Sequence, residues 1–304
     1  MIDANADMEK ISLANARLKM SLLRHCPGDG IFETGITGFF IARHDVPCVL
    51  QHRFDQPLAS VIVQGSKRTI FENCEYQENA NQILTICIGM PSTTLQLEAL
   101  PEKAFLSLFF HLNPKTLADL ALELGWDVPH PRGHINGISV HDANPDFMEC
   151  LVRLAELMDK TWQIPILAPM ILRELHYHLL CGQQKEMLMP LYGGSAYGKK
   201  IIRAMDFLKS RLDMPVRIDE LVKEVNMSEA SLYRHFKILT GLSPLQYHKQ
   251  LRLHEARRII LTENEQVSIA AMKVGYESVT QFNREYKNLF GMSPLQGIGR
   301  KNNK

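Results

Sequence analysis

Apolar positions recur at two different periods along this chain, and the changes of period divide it. In residues 6–23, Met8, Ile11, Leu13, Ala14, Leu18 and Leu22 return at mostly helical spacing with Lys and Arg between them, which predicts an amphipathic helix. Cys26-Pro27-Gly28-Asp29-Gly30 ends it. From Gly30 the texture becomes short runs rich in Ile, Val, Phe and Thr, broken by Gly, Pro, Asn and Asp. The runs are 39–43, 48–52, 59–64, 67–71, 82–88, 92–97 and 105–111, and strands so short and close predict an all-β barrel or sandwich. Helical spacing then returns. Asn113-Pro114 opens a helix to about Gly125, with Leu117, Leu120, Ala121 and Leu124 on one face. Residues 126–141 read as a loop with room for one short strand. Residues 146–160 and 164–181 are two further helices. Residues 182–198 offer few packing signals apart from 187–191 and read as a connection, tightest around Gly193, Gly194 and Ser195.

The remainder is helical, starting with 199–212, and its most ordered stretch is Ser228 to Gly241. Ser228 can cap a helix through its hydroxyl, and Gly241 can take the left-handed conformation that ends one. Leu232, Phe236 and Leu239 make the apolar stripe; Ala230, Tyr233, Arg234 and Lys237 face the other way. Just upstream, 218–225 is a short amphipathic helix, and Asn226-Met227 joins the two tightly. That is the pattern of a helix-turn-helix. The pattern repeats at an offset of 50: Ser228 with Ser278, Leu232 with Phe282, Arg234 with Arg284, Phe236 with Tyr286, Lys237 with Lys287, Leu239 with Leu289 and Gly241 with Gly291. Ser243-Pro244-Leu245-Gln246 returns as Ser293-Pro294-Leu295-Gln296. A supersecondary unit has been duplicated. A long helix, 244–261, separates the copies.

Glu255-Ala256-Arg257-Arg258, Val274-Gly275-Tyr276-Glu277-Ser278, Gln281-Phe282-Asn283-Arg284 and Phe290-Gly291-Met292-Ser293-Pro294 carry a specific resemblance. Residues 196–297 resemble the DNA-binding domain of the AraC/XylS family of bacterial transcription regulators. Residues 27–182 resemble, more diffusely, the N-terminal domain of one branch of that family. The resemblance implies an α+β protein: a cupin-like β-barrel with flanking dimerisation helices, then an all-α domain of two helix-turn-helix units. The expected layout is 1–182 for effector binding and dimerisation, 183–195 as linker, 196–297 for DNA and 298–304 as a tail. The start of each second helix meets base edges in such units. Ala230, Tyr233 and Arg234 in one unit, and Thr280, Gln281, Asn283 and Arg284 in the other, are therefore expected at base pairs. Lys237 and Lys287, a turn further on, are expected at phosphates. Arg257 is either a weaker phosphate contact or a partner for a carboxylate.

Charge sharpens the division. Residues 196–304 carry 19 Lys and Arg against 11 Asp and Glu, whereas residues 1–195 carry 15 against 22. The near-zero net charge hides a basic half suited to a polyanion. An acidic start without a long apolar run predicts neither signal peptide nor membrane span, so a cytoplasmic location is expected. The six cysteines show no C-x-x-C pair, and no metal site or disulfide framework is expected. His176 and His178 sit about 200° apart on a helix and cannot share an ion. His130 and His134 lie in a loop, and His52 and His111 stand alone on strands. No cofactor motif occurs. RNA binding lacks an aromatic strand platform. Expected partners are double-stranded DNA, RNA polymerase (activation being the family's usual mode), a second copy through the N-terminal domain, and a small-molecule effector. Arg43, His52, Gln64 and Cys87 are candidate effector contacts among the strands. A buried core thiol is the ordinary reading of Cys87, a redox or electrophile sensor the other; alternation places it with Thr85 on the less apolar face of its strand, solvent or lumen. The competing reading is a metal-independent cupin-type enzyme with an auxiliary DNA-binding domain.

Overall fold

The structure, a computed structural model, describes residues 2–54, 56–71, 74–99, 103–126 and 137–296. The chain separates into two compact units, the first ending at Ser195 and the second beginning at Ala196.

The first unit opens with α1 (Ile2–His25), followed by β1 (Gly30–Glu33), β2 (Phe39–His44), β3 (Cys48–Phe54), β4 (Leu58–Gln64), β5 (Ser66–Phe71), β6 (Cys74–Asn79), β7 (Gln82–Ile86), β8 (Met90–Glu98) and β9 (Phe105–His111). Then come α2 (Pro114–Leu124), β10 (Ile138–Asp142), α3 (Pro145–Glu156), two 3-10 turns, α4 (Ile164–Cys181) and α5 (Lys185–Tyr192). The strands form two antiparallel sheets, ordered β1-β2-β9-β4-β7-β10 and β3-β8-β5-β6. This is the expected barrel-like β unit with flanking helices. Two strands were not legible in the sequence. β6 (Cys-Glu-Tyr-Gln-Glu-Asn) has almost no apolar content, and β1 is only four residues long. The middle strand β4 is apolar almost throughout because both of its faces are covered, one of them by α1. α1 buries Ala14, Leu18 and Leu22 and packs along α3. Asn15 on α1 donates its side-chain amide to the Val63 carbonyl (3.1 Å) and to Asn81 Oδ1 (2.6 Å). α2 and α3 start where Asn113 and Asn144 cap them, each followed by proline at the first position.

The linker expected at 183–195 needs correcting. Residues 185–192 form α5, and Met187, Leu188, Met189, Leu191 and Tyr192 are all buried in the first unit. The weak signal 187–191 was a core helix whose apolar residues are nearly continuous. The expected tail, 298–304, lies outside the described residues, as do His130 and His134.

The second unit is all helical: α6 (Ala196–Lys209), α7 (Ile218–Val225), α8 (Glu229–Thr240), α9 (Pro244–Thr262), α10 (Val267–Lys273) and α11 (Val279–Phe290). α9 serves both halves. Tyr247 and Leu251 meet the first half; Leu253, Ala256, Ile259 and Ile260 join Ala270, Ala271, Val274, Tyr276, Phe282 and Tyr286 in the core of the second.

Candidate nucleic-acid interface

In the first half, Leu221 and Val225 bury one side of α7. Asn226 then takes a left-handed conformation (φ 49°), and Met227 N–H returns to the Val222 carbonyl at 3.2 Å. The Ser228 hydroxyl accepts from Ser231 N–H, so α8 begins two residues after the turn. Leu232, Phe236 and Leu239 are buried beneath it. Gly241 (φ 81°) closes the helix onto the Lys237 carbonyl at 2.9 Å.

The second half repeats this frame with different turn chemistry. Gly275 has φ 73°, and a Cβ there would lie 2.5 Å from the Asp213 carbonyl oxygen, so both the conformation and the approach require glycine. Ser278 caps α11 through Gln281 N–H, and Gly291 closes it onto the Lys287 carbonyl. The reciprocal capping box of Ser243 and Gln246 recurs between Ser293 and Gln296. Arg252 on α9 holds the turn: it donates to the Val274 carbonyl at 2.5 Å and lies 4.5 Å over the Tyr276 ring. Sequence reasoning passed over Arg252. Arg257 is corrected: it stacks 4.7 Å over the Phe290 ring, and burial lowers its pKa. Its guanidinium packs on an aromatic ring instead of meeting a carboxylate.

With both helices capped and rooted, their outer faces are free. Ala230, Arg234 and Lys237 are exposed on α8, and Tyr233 is half-buried. Thr280, Gln281, Asn283, Arg284 and Lys287 are exposed on α11. Arg234, Lys237, Arg284 and Lys287 form no ion pair among the described residues. Neighbouring cations do: Arg203 with Glu224, Arg211 with Glu220, Arg258 with Glu255, and Lys273 with Glu265. Gln281 is engaged within its helix, donating to Glu285, whose other oxygen accepts from the Tyr276 hydroxyl. Asn283, Arg284 and Lys287 border an open cleft of about 840 Å³ that is also lined by Gln266, Ser268 and Ser293.

Comparison with known proteins bears on both units. The sequence model of the AraC-type transcriptional regulator N-terminus matches residues 35–187, half of the chain, and a helix-turn-helix domain model matches 221–297. The chain belongs to the AraC-type transcriptional regulators. Its relatives include the HTH-type transcriptional regulator ArgR of Pseudomonas aeruginosa, 28% identical over 32% of this chain and 30% of that one. The uncharacterised HTH-type regulator YisR of Bacillus subtilis is 24% identical over 50% of this chain and 51% of that one. The chain thus spans from under a third to about half of the length of these curated relatives. Among solved structures, ToxT of Vibrio cholerae with an unsaturated fatty acid bound superposes with a TM-score of 0.55 at 13% identity, covering 86% of this chain and 95% of that one. At that identity the likeness is one of fold.

In the regulator's β unit the three expected effector contacts whose side chains are described, Arg43, Gln64 and Cys87, are each engaged elsewhere. Arg43 pairs with Asp45 at 2.7 Å and reaches the Cys26 carbonyl at 3.4 Å. Gln64 donates to the Ala104 carbonyl at 2.7 Å. The His52 side chain lies outside those described. Cys87 is fully buried, as is Thr85, so the strand has no less apolar open face. β7 sits between β4 and β10, and Tyr192 of α5 donates to the Cys87 carbonyl at 2.5 Å. Cys87 is thus the core thiol that its strand position also allowed, while its placement on an open face does not hold. Burial pushes the thiol pKa far above its ordinary value, which disfavours the reactive thiolate. The polar group that does form inside is Lys67, Glu78 and Ser60. Lys67 Nζ lies 2.7 Å from Glu78 and 3.1 Å from the Ser60 hydroxyl, joining strands of both sheets in the interior. Burial raises the Glu78 pKa, and the Lys67 ammonium opposes that rise. His176 and His178 go separate ways. His176 is buried, donating from Nδ1 to the Leu172 carbonyl and accepting Asn113 N–H at Nε2.

Proposed function

We propose that this chain is a sequence-specific DNA-binding regulator of transcription that reads two neighbouring major-groove segments, one with each half of its second unit. The observation that carries this is the pair of capped helices, α8 and α11, each offering an arginine and, one turn on, a lysine, none of them in an ion pair among the described residues. Arginine can grip guanine O6 and N7 with two donors. Lysine further along suits phosphate. Ala230, Tyr233, Thr280, Gln281 and Asn283 complete the two reading faces. Selection of bound sequences from a random DNA pool tests this directly. A bipartite motif with its halves about one helical turn (~34 Å) apart is expected. Lys237→Ala and Lys287→Ala should each lower the salt slope of binding by about one unit at any sequence. A single short motif, or unchanged slopes, would overturn the reading.

The rest of the proposal concerns control. Activation through contact with RNA polymerase is the mode the family resemblance supports, and in vitro transcription from a selected site gives the sign. We place a small-molecule effector in the β unit; the fatty acid on the ToxT neighbour makes carboxylate lipids the first class to screen by thermal shift. A hit that persists in Cys87→Ser is non-covalent. Dimerisation is placed on α4 and the turn before it, where Trp162, Ile166 and Met170 are exposed in one stripe. An all-apolar stripe can meet its own copy across a two-fold axis. Ile166→Glu should turn a dimer into a monomer in sedimentation. The DNA unit, residues 196–304, should bind the same motif alone but more weakly, having lost its partner's effective concentration.

A further inference from the structure

α3 and α4 pack side by side, and three metal-ligating groups of different chemistry meet between them. Cys150 comes from the buried face of α3. Glu174 and His178 come from α4, four residues apart and so on one face. Their ligand atoms all lie within 4.8 Å of one another. Around a tetrahedral zinc ion with bonds of about 2.0–2.3 Å, donors sit roughly 3.3–3.8 Å apart, so a contraction of about 1 Å would close the set. Glu174 can supply that movement, because its side chain is 42% exposed.

A cation already occupies this place. Arg153, one turn along α3, donates from one guanidinium nitrogen to Cys150 Sγ at 3.0 Å and to Glu174 at 2.5 Å. Two of the three donors, Cys150 and Glu174, are therefore already arranged about a positive charge. Arg153 is itself 42% exposed and can swing into solvent. The same guanidinium nitrogen thus joins a buried thiol to a carboxylate, with the His178 imidazole in the same set.

We propose that Cys150, Glu174 and His178 form a binding site for a thiophilic divalent cation, zinc above all, which exchanges with the Arg153 guanidinium. Thiolate, imidazole and carboxylate are the zinc donor set, and three protein ligands leave a fourth position for water. On binding, the Cys150 thiol gives up its proton to solvent, the sulfur–metal bond forms, and the Arg153–Glu174 pair breaks; nothing is oxidised or reduced. The ion would staple α3 to α4, the helix whose outer stripe is proposed above as the dimer surface. This inference stands apart from the DNA-reading proposal and survives its failure.

The test uses the full chain with Cys74 and Cys181, both exposed thiols, replaced by serine. Zinc affinity is measured by competition with a chromophoric chelator, and cobalt(II) serves as the spectroscopic probe. One zinc per chain is expected, with a thiolate-to-cobalt charge-transfer band that Cys150→Ser removes. His178→Ala should weaken zinc by about tenfold or more, since even outer-sphere partners are worth 10–100-fold. Arg153→Ala should bind zinc more tightly than the parent, because the competing cation is gone. His178 is half-buried, so its variant keeps the test alive if Cys150→Ser does not fold. A parent protein that binds no zinc, or binding that neither Cys150→Ser nor His178→Ala alters, overturns the proposal. So does weaker binding in Arg153→Ala, which would show the arginine to be support for the site and not its competitor.

Discussion

The two units use their arginines differently. In the β unit the described arginines and the buried Lys67 are matched to carboxylates, for example Lys67 to Glu78 in the interior and Arg17 to Glu149 and Glu156, Arg24 to Asp159, and Arg173 to Glu123 outside, while surface lysines such as Lys10 and Lys115 form no ion pair among the described residues. In the helical unit matched cations flank α8 and α11, but each of these helices keeps two cations on its outer face that form no ion pair among the described residues. Unmatched charge adds nothing to folding and self-repulsion opposes it, so its persistence at corresponding positions of a duplicated unit points to a partner outside the chain. An arginine held by a carboxylate of its own protein is structural; one left open at the same position in both copies of a duplicated unit is available to a ligand. Substitutions on the two sides of this contrast should therefore fail differently.

The largest effect is expected in the β unit. Lys67→Met leaves Glu78 buried without its ammonium, and breaking such a pair from one side costs about 3–5 kcal/mol. Removing both members, Lys67→Met with Glu78→Leu, should restore most of that stability in urea unfolding. A double variant no better than the single one would mean that the pair is held by packing and not by charge.

Next comes Gly275→Ala. Alanine must adopt φ 73° with its methyl against the Asp213 carbonyl, so at least about 1–3 kcal/mol is expected from the backbone conformation alone. The second half should loosen and lose its DNA half-site while the first half keeps its own. By contrast, Arg234→Ala and Arg284→Ala should leave the unfolding midpoint unchanged. Each should cost about 1–3 kcal/mol of discrimination at one base pair, at different ends of the motif. Equal weakening at every sequence would assign the arginines to phosphate.

The same contrast explains what could be read before the structure. The helical unit was legible almost residue by residue, because caps, αL glycines and apolar stripes are local: Ser228, Gly241, Ser278 and Gly291 stand where their chemistry requires. The β unit was legible in type and only partly in detail. β6 has little apolar content, and its one buried position is a carboxylate, Glu78, with the half-buried Tyr76 beside it on the same face, so alternation gives no signal. α5 was lost because a short, thoroughly apolar stretch has no period to detect. Lys67–Glu78 and Cys150–Glu174–His178 depend on strands and helices brought together by the fold, and no spacing in one segment announces them. His178 illustrates the limit: ruling out a shared ion with His176 was sound on helix geometry, yet the partners that matter lie at positions 150 and 174.

The smallest expected effect concerns two of the buried histidines, His176 in the first unit and His248 in the second. His176 is held as the neutral Nδ1–H tautomer, since Nε2 must accept from Asn113 N–H at the cap of α2. A proton on Nε2 would set two donors against each other. The Phe110 ring packs edge-on against the imidazole, with centroids 5.7 Å apart. His248 on α9 is buried as well, its Nε2–H donating to the Arg211 carbonyl at 2.8 Å. Burial lowers both pKa values below the ordinary imidazole value. The unfolded chain therefore takes up protons first as the pH falls. Stability is complete above about pH 6.5, where the unfolded imidazole is neutral, and declines below it toward the folded-state values. Urea midpoints of the full chain between pH 7.5 and 5 should fall, beyond what the carboxylates contribute. His248→Gln should flatten the part of that fall belonging to the DNA unit, and His176→Gln the part belonging to the β unit, each at some cost at pH 7.5. If neither variant changes the slope, the acid sensitivity lies elsewhere and the two imidazoles stay neutral for reasons of packing alone.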